Sequence, residues 1–198
     1  VRSVGFDLDM TLVDSANSIA TSLQHVMAQY GVEADGGELR ATIGLPLDLV
    51  FPRWLPDEPY DVLLAAYREH YIEHGIPLTR PMPGAAEAIA SVRERGDRVL
   101  IVTAKYGVSA RLALQAAGLV ADEVVGDLFA EDKASALLEH DAWVYVGDHP
   151  GDVRAARTAG VHAVVVATGP TSVEALHAAG PDVVLPDLTH LPAWLASA

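Results

Sequence analysis

The sequence predicts an α/β protein built on a doubly wound parallel sheet, with a helical unit inserted directly after the first strand. Two observations lead there. Short apolar, β-branched runs recur along the chain with helical patterns between them, the alternation that produces parallel strands joined by crossover helices. Between about 15 and 80 that alternation stops, and helical spacing continues with no convincing strand.

The first run, 3–8 (SVGFDL), has the nearly continuous apolar character of a strand buried on both faces. The inserted unit follows, with Ile19, Leu23, Met27 and Tyr30 and then Leu63, Tyr67 and Tyr71 at helical intervals and prolines at its joints. Its expected hinges are Asp14 and Ser15 on the way out and Arg80 to Gly84 (RPMPG) on the return. Residues 1–14 and 81–198 therefore read as the core domain, and 15–80 as a lid-like helical domain. Beyond it come a helix at 84–95, a strand at 98–103 (RVLIVT), a helix at 107–117 and a weaker strand at 122–126. A helix at 131–140 leads to a strand at 142–147 (AWVYVG), and a helix at 150–159 ends at Gly160, a suitable C-cap. Strands at 161–166 (VHAVVV) and, more weakly, 182–185 (DVVL) complete the sheet.

Composition narrows the functional classes. A chain of 198 residues with 51% hydrophobic content supports one well-buried core with a smaller insert. The absence of cysteine excludes a disulfide scaffold, a thiolate zinc site and a cysteine nucleophile. No apolar window of about 18 residues occurs, and the first residues lack the basic-then-apolar pattern of a signal peptide, so a soluble cytoplasmic protein with no membrane partner is expected. A net charge of −14 opposes binding to nucleic acid or to anionic lipid. Any anionic substrate must be held by local cations. Eleven of the thirteen basic residues are arginine, and the two lysines, Lys105 and Lys133, mark places where a compact ammonium is useful.

Asp7 and Asp9 close the first strand two residues apart, so alternation directs both carboxylates to one face. Two anions in a small space are tolerable when a cation sits between them or when one keeps a proton for acid/base work. Ligands of open α/β sheets bind at the carboxyl ends of the strands. At that edge the sequence also places Thr103, at the end of VLIVT, and Gly147-Asp148, at the end of WVYV, with Lys133 opening the helix at 131–140. Four distant segments thus bring carboxylates, a hydroxyl and an ammonium together.

The segments DLDMT, VTAK, EDK and GDHPGD, in this order and with a helical insert after the first, resemble the haloacid dehalogenase superfamily over essentially the whole chain. TLVDSANSIATSL, YREHY, RPMPGAAEAIASVRERG, GDVRAARTAG and GPTSVEALHAAGPDVVLPDLTHL are most similar to its phosphoglycolate phosphatase branch, which carries a small helical cap. The resemblance implies a Rossmann-like core, a cap domain, and a magnesium-dependent phosphatase acting on a small phosphorylated metabolite such as phosphoglycolate, as a monomer or homodimer. It implies Asp7 as the nucleophile that forms an aspartyl phosphate and Asp9 as the general acid/base. Asp7, the backbone carbonyl of Asp9 and Asp148 would hold Mg2+. Thr103 and the Ala104 amide would bind phosphoryl oxygens, Lys133 would neutralise nucleophile and phosphate together, and Asp152 would orient Lys133 or a water of the metal. Lys105 is expected nearer the rim.

The chain departs from the family pattern at Met10, where glycine is usual, so the turn must tolerate a side chain or be reshaped. Ala104 replaces a common asparagine, His149 a serine or threonine, and Ala134 a proline. The alternatives are a phosphomutase of the same superfamily, whose relatives carry a cap histidine sooner after the first motif than His25, and a receiver-like phospho-acceptor, which lacks the insert and the DxD spacing. Dehalogenase relatives lack the second aspartate. In the insert, His70 and His74 have a zinc-compatible spacing, but without the metalloprotease glutamate pattern they read as a helix face and no metal is assigned. Phe51 and Trp54 suit either a substrate pocket or the packing of the cap. Arg40, Arg53 and Arg68 are the cations available to a substrate carboxylate, Arg40 being the candidate named for substrate binding.

Overall fold

The computed structural model describes residues 1–198. The chain opens with β1 (Ser3–Phe6) and a short β2 (Val13–Asp14), then enters the insert through α1 (Ala16–Gln29), α2 (Gly36–Arg40), α3 (Leu47–Val50) and α4 (Tyr60–His70). It returns through β3 (Arg80–Pro81). From there α5 (Ala85–Glu94), β4 (Arg98–Val102), α6 (Gly107–Ala116), β5 (Glu123–Val125) and α7 (Lys133–Glu139) alternate. β6 (Ala142–Gly147), α8 (Pro150–Ala159), β7 (His162–Val166), α9 (Val173–Ala178), β8 (Val183–Leu185) and α10 (Leu191–Ser197) finish the chain.

Six strands form a parallel sheet in the order β5-β4-β1-β6-β7-β8. The chain winds outward from β1 in one direction and then in the other, which opens a crevice at the carboxyl ends of β1, β4 and β6. Alternation along the strands divides the core. Phe6, Val99, Ile101, Val144 and Val146 face α5, α6 and α10, while Leu100, Val102, Tyr145 and Val165 face α7, α8 and α9. Both faces are covered, which is why these strands read as continuous apolar runs. Gly160 ends α8 in the left-handed conformation, φ 69, as its position suggests.

The insert has a core of its own, drawn entirely from residues between Ile19 and Tyr71 and centred on Leu23, Met27, Leu63 and Tyr67. Phe51 is buried within it and Trp54 packs against it, so both serve the packing of the insert. Three details differ from the sequence reading. The two connections to the core pair as an antiparallel ribbon, Val13 with Pro81 and Asp14 with Arg80, a pairing too short to leave a periodic signal. α4 runs on into a π-helical turn, Tyr71–Gly75. A single 3-10 turn, Ala130–Asp132, precedes α7, so the helix itself begins at Lys133. No helix is long and apolar enough to cross a membrane.

Candidate active site

Asp7 lies one residue beyond β1, but its N–H still donates to the Val146 carbonyl at 2.8 Å, which fixes it in the crevice between β1 and β6. Its Oδ1 accepts from Lys133 Nζ at 3.1 Å. The ammonium has two further partners, Asp152 Oδ1 at 2.7 Å and the Tyr145 hydroxyl at 2.9 Å, and Tyr145 in turn donates to the Val102 carbonyl at 2.6 Å. All three donor positions of the lysine are therefore used. Asp152 spends its other oxygen on the backbone N–H of His149 at 3.1 Å. The His149 ring accepts from the Gly151 N–H, so histidine here does the N-capping work of a serine or threonine, and a reciprocal capping box ties the start of α8 to Asp152.

Asp148 directly follows β6 and accepts from the Thr11 hydroxyl at 2.8 Å. Two carboxylates lie hard against glycine backbone: a Cβ at Gly169 would collide with Asp148, and one at Gly147 with Asp152. Only glycine fits at either position. Carboxylate oxygens of Asp7, Asp148 and Asp152 come within 4.8 Å of one another, all buried, with Lys133 as their one contacting cation. Burial pushes the Asp7 carboxyl up to about 6, with Lys133 opposing and Asp152 and Asp9 adding to the rise. Burial, then Asp7 and Asp152, hold Asp148 well above the usual carboxylate range. Lys133 rises because Asp152 and Asp7 outweigh its own desolvation. The excess negative charge and the all-oxygen donor set fit a hard divalent cation. Asp152 is committed elsewhere, so Asp7 and Asp148 are the carboxylates with capacity to spare.

Asp9 belongs to a second pair. Its Oδ2 meets Lys105 Nζ at 3.1 Å, and its Oδ1 is buried with no hydrogen-bond partner. Lys105 is not at the rim: its side chain is 7% exposed and its ammonium sits 4.2 Å from the centre of the Tyr71 ring. The loop after β4 turns inward beneath the insert, and the two lysines of the chain each hold one of the paired aspartates. Thr103 is buried beside them, its hydroxyl accepting from the Lys105 N–H at 3.2 Å. Ala104 borders the cavity described below.

Met10 adopts the left-handed conformation, φ 60, so the turn keeps the shape that glycine would give it. Its N–H donates to Val13 at 2.8 Å and its carbonyl accepts from the Thr168 hydroxyl at 2.6 Å, while its side chain packs against the core of the insert. A β-branched residue of similar volume should suffer there. Met10→Ile is expected to lower stability by about 1–2 kcal/mol, read from urea unfolding, through backbone strain with little loss of packing volume. An unchanged midpoint would show that the turn is not under this constraint.

Between insert and core lies a cavity of about 240 Å³, with Asp9, Ala104 and Lys105 on the core side and Leu23, Leu64 and Tyr67 on the insert side. Arg40 does not line it. That side chain is exposed and donates to Asn17 at 2.9 Å, and Arg53 is also outside. Arg68 does line it, stacked 3.9 Å above Tyr106 and paired with Asp127 at 3.5 Å. His70 hydrogen-bonds to Ser22 and stacks on His25 at 4.1 Å, away from the cavity. Tyr145, Thr11 and Thr168 escaped the sequence reading of the site. Thr11 lay inside the DLDMT motif, whereas Tyr145 is indistinguishable in sequence from a core aromatic.

The family model described as haloacid dehalogenase-like hydrolase matches residues 4–166. The phosphoglycolate phosphatase of Rhodospirillum rubrum is 30% identical over 98% of this chain and 90% of its own. The pyrophosphatase PpaX of Halalkalibacterium halodurans is 30% identical over 95% of each chain. A solved haloacid dehalogenase-like family hydrolase from Streptococcus pneumoniae has the same fold, with a TM-score of 0.86 at 22% identity over 98% of each chain. On the family match and these relatives, the chain belongs to the haloacid dehalogenase-like hydrolases and is an enzyme of their phosphatase branch.

Proposed function

We propose that the enzyme is a magnesium-dependent phosphatase that hydrolyses a small phosphate monoester through an aspartyl phosphate on Asp7. The observation that carries this reading is the division of labour between the two aspartates. Asp7 is buried beside Asp148 and an ammonium, whereas Asp9 is paired with a different lysine and keeps one oxygen unpartnered. In the first step an Asp7 oxygen attacks phosphorus, the ester P–O bond breaks, and Asp9 gives its proton to the departing alkoxide. In the second, Asp9 takes a proton from water, the resulting hydroxide attacks phosphorus, and the Asp7 carboxylate is released with inorganic phosphate. Asp7, the backbone carbonyl of Asp9 and Asp148 would hold Mg2+, which supplies positive charge to an entering phosphate dianion. Thr103 and the Ala104 amide would donate to phosphoryl oxygens, and Asp152 would keep Lys133 aimed at Asp7. In the same reading residues 15–80 act as a cap that closes on the site about the ribbon of β2 and β3.

The mutase alternative is associated with a cap histidine soon after the first motif. His25 comes later, is exposed and stacks on His70 outside the cavity, which favours water over a sugar hydroxyl as the acceptor. The reading is tested by phosphate release from a monoester panel in Mg2+, after EDTA, and after Mg2+ is restored. Activity should vanish and return. Independently of turnover, Mg2+ at about 100 times its dissociation constant should stabilise the fold by about 2.7 kcal/mol. Undiminished hydrolysis in EDTA would overturn the proposal.

A further inference from the structure

Polar atoms without partners gather on the walls of the cavity beyond Asp9. Five buried side-chain atoms of the chain have no hydrogen-bond partner, and three of them, Asp9 Oδ1, Arg68 Nε and the Tyr71 hydroxyl, belong to residues that line this cavity. Buried polar groups are nearly always paired, so this concentration marks a place where a ligand supplies the missing partners. The three differ in what they take. Asp9 serves the leaving oxygen in the phosphatase reading, and the Tyr71 hydroxyl can give or accept a hydrogen bond. Arg68 can only donate, and it is charged.

The guanidinium is held in place but not satisfied. It stacks 3.9 Å from the centre of the Tyr106 ring, which spends its face and leaves its N–H edge for hydrogen bonds. Its one acceptor within the protein, Asp127 Oδ1, stands 3.5 Å from Nη2, beyond the usual range, and the Asp127 side chain is 56% exposed. The other Asp127 oxygen accepts from the Gly107 N–H at the start of α6, at 3.3 Å. Asp48 also lines the cavity and is exposed, so water screens both carboxylates. Lys105, by contrast, is spent on Asp9 at 3.1 Å, and Arg40 and Arg53 lie outside the cavity. Arg68 is the cavity cation with donors to spare.

Resting on the phosphatase reading, we infer that Arg68 is the residue that selects the leaving group, by binding a carboxylate carried on the alcohol. The Nε and Nη edge of a guanidinium matches the two oxygens of a carboxylate, and both bonds are charge-assisted. A neutral chain end of the same size leaves the shielded donor unpaired, which is the condition under which a site discriminates most strongly. Asp7, Lys133 and the metal deal with the phosphate common to all substrates, and Arg68 reads what differs between them.

The test measures kcat/KM with Mg2+ for the phosphate monoesters of the two-, three- and four-carbon ω-hydroxy acids, each beside its primary amide, a neutral compound of the same shape. At the chain length that suits the cavity, the acid should exceed its amide by about tenfold or more. In Arg68→Met, which keeps an apolar side chain of similar reach, that ratio should fall to about unity. Arg68→Lys should give an intermediate ratio, because it keeps the charge and loses the fork. A residue that only ties the insert to the core through Tyr106 would slow acid and amide together and leave the ratio as it was. That result, or amides hydrolysed by the parent as fast as the acids at every length, would overturn the inference, while Mg2+-dependent phosphate release left the phosphatase reading standing. The comparison within the parent needs no variant, so it decides even where Arg68→Met fails to fold. No phosphate release from any monoester by folded protein would remove both readings.

Discussion

Asp7→Asn is expected to lower kcat by about 10⁴-fold or more, because the amide is a poor nucleophile and a poor ligand for a hard cation at the same position. The fold should survive. Lys133 keeps Asp152 at 2.7 Å and Tyr145 at 2.9 Å, and one of three crowded carboxylates loses its charge. In EDTA the variant should therefore melt no lower than the parent, which separates a catalytic loss from a folding one. Asp9→Asn should fail differently. The nucleophile remains, so a phosphorylated protein should form from an activated ester and then stall, since nothing takes the proton from water. Intact-mass measurement after acid quench reads the phosphoryl adduct directly. Parental turnover by either variant would end the assignment.

Lys133→Met is the second large effect, and here stability falls together with activity. The ammonium is the one cation contacting Asp7, and it also holds Asp152, both buried. Removing it strands these carboxylates beside Asp148, and loss of one partner from a buried charge cluster costs about 3–5 kcal/mol. Urea unfolding in EDTA should show that deficit, and Mg2+ should restore more stability to the variant than to the parent. Turnover should drop by about 10³-fold even when the metal is saturating, because charge on the transferring group loses a preorganised donor. Lys133→Arg should not rescue, since a planar fork cannot replace a compact ammonium enclosed by Asp7, Asp152 and Tyr145. Parental stability in EDTA would show that the cluster is not held together by this charge.

The parallel sheet was legible because strands buried on both faces leave continuous apolar runs such as RVLIV, and the site because its groups terminate those runs. What was lost depends on partners distant in the chain. Lys105 follows Thr103 by two residues, a spacing that is silent on whether the loop turns outward or inward. Its burial is decided by Asp9 and by Tyr71 of the insert. The choice of Arg68 over Arg40 as a cavity residue likewise depends on how the insert sits on the core, which no local pattern encodes. Met10 could be flagged as unusual from sequence, yet only the backbone shows that it accepts a left-handed turn rather than changing it.

The double engagement of Asp152 has a practical consequence. One of its oxygens holds Lys133 and the other closes the first turn of α8 through His149. Fraying of that turn would free the carboxylate and leave Lys133 misaimed while the sheet remained folded, because helix ends open at lower free energy than core strands. Heat inactivation is therefore expected to follow the opening of that turn: activity should decline at temperatures where the bulk of the molecule still resists proteolysis, and substitutions that tighten the turn should raise the working temperature without altering any reacting group.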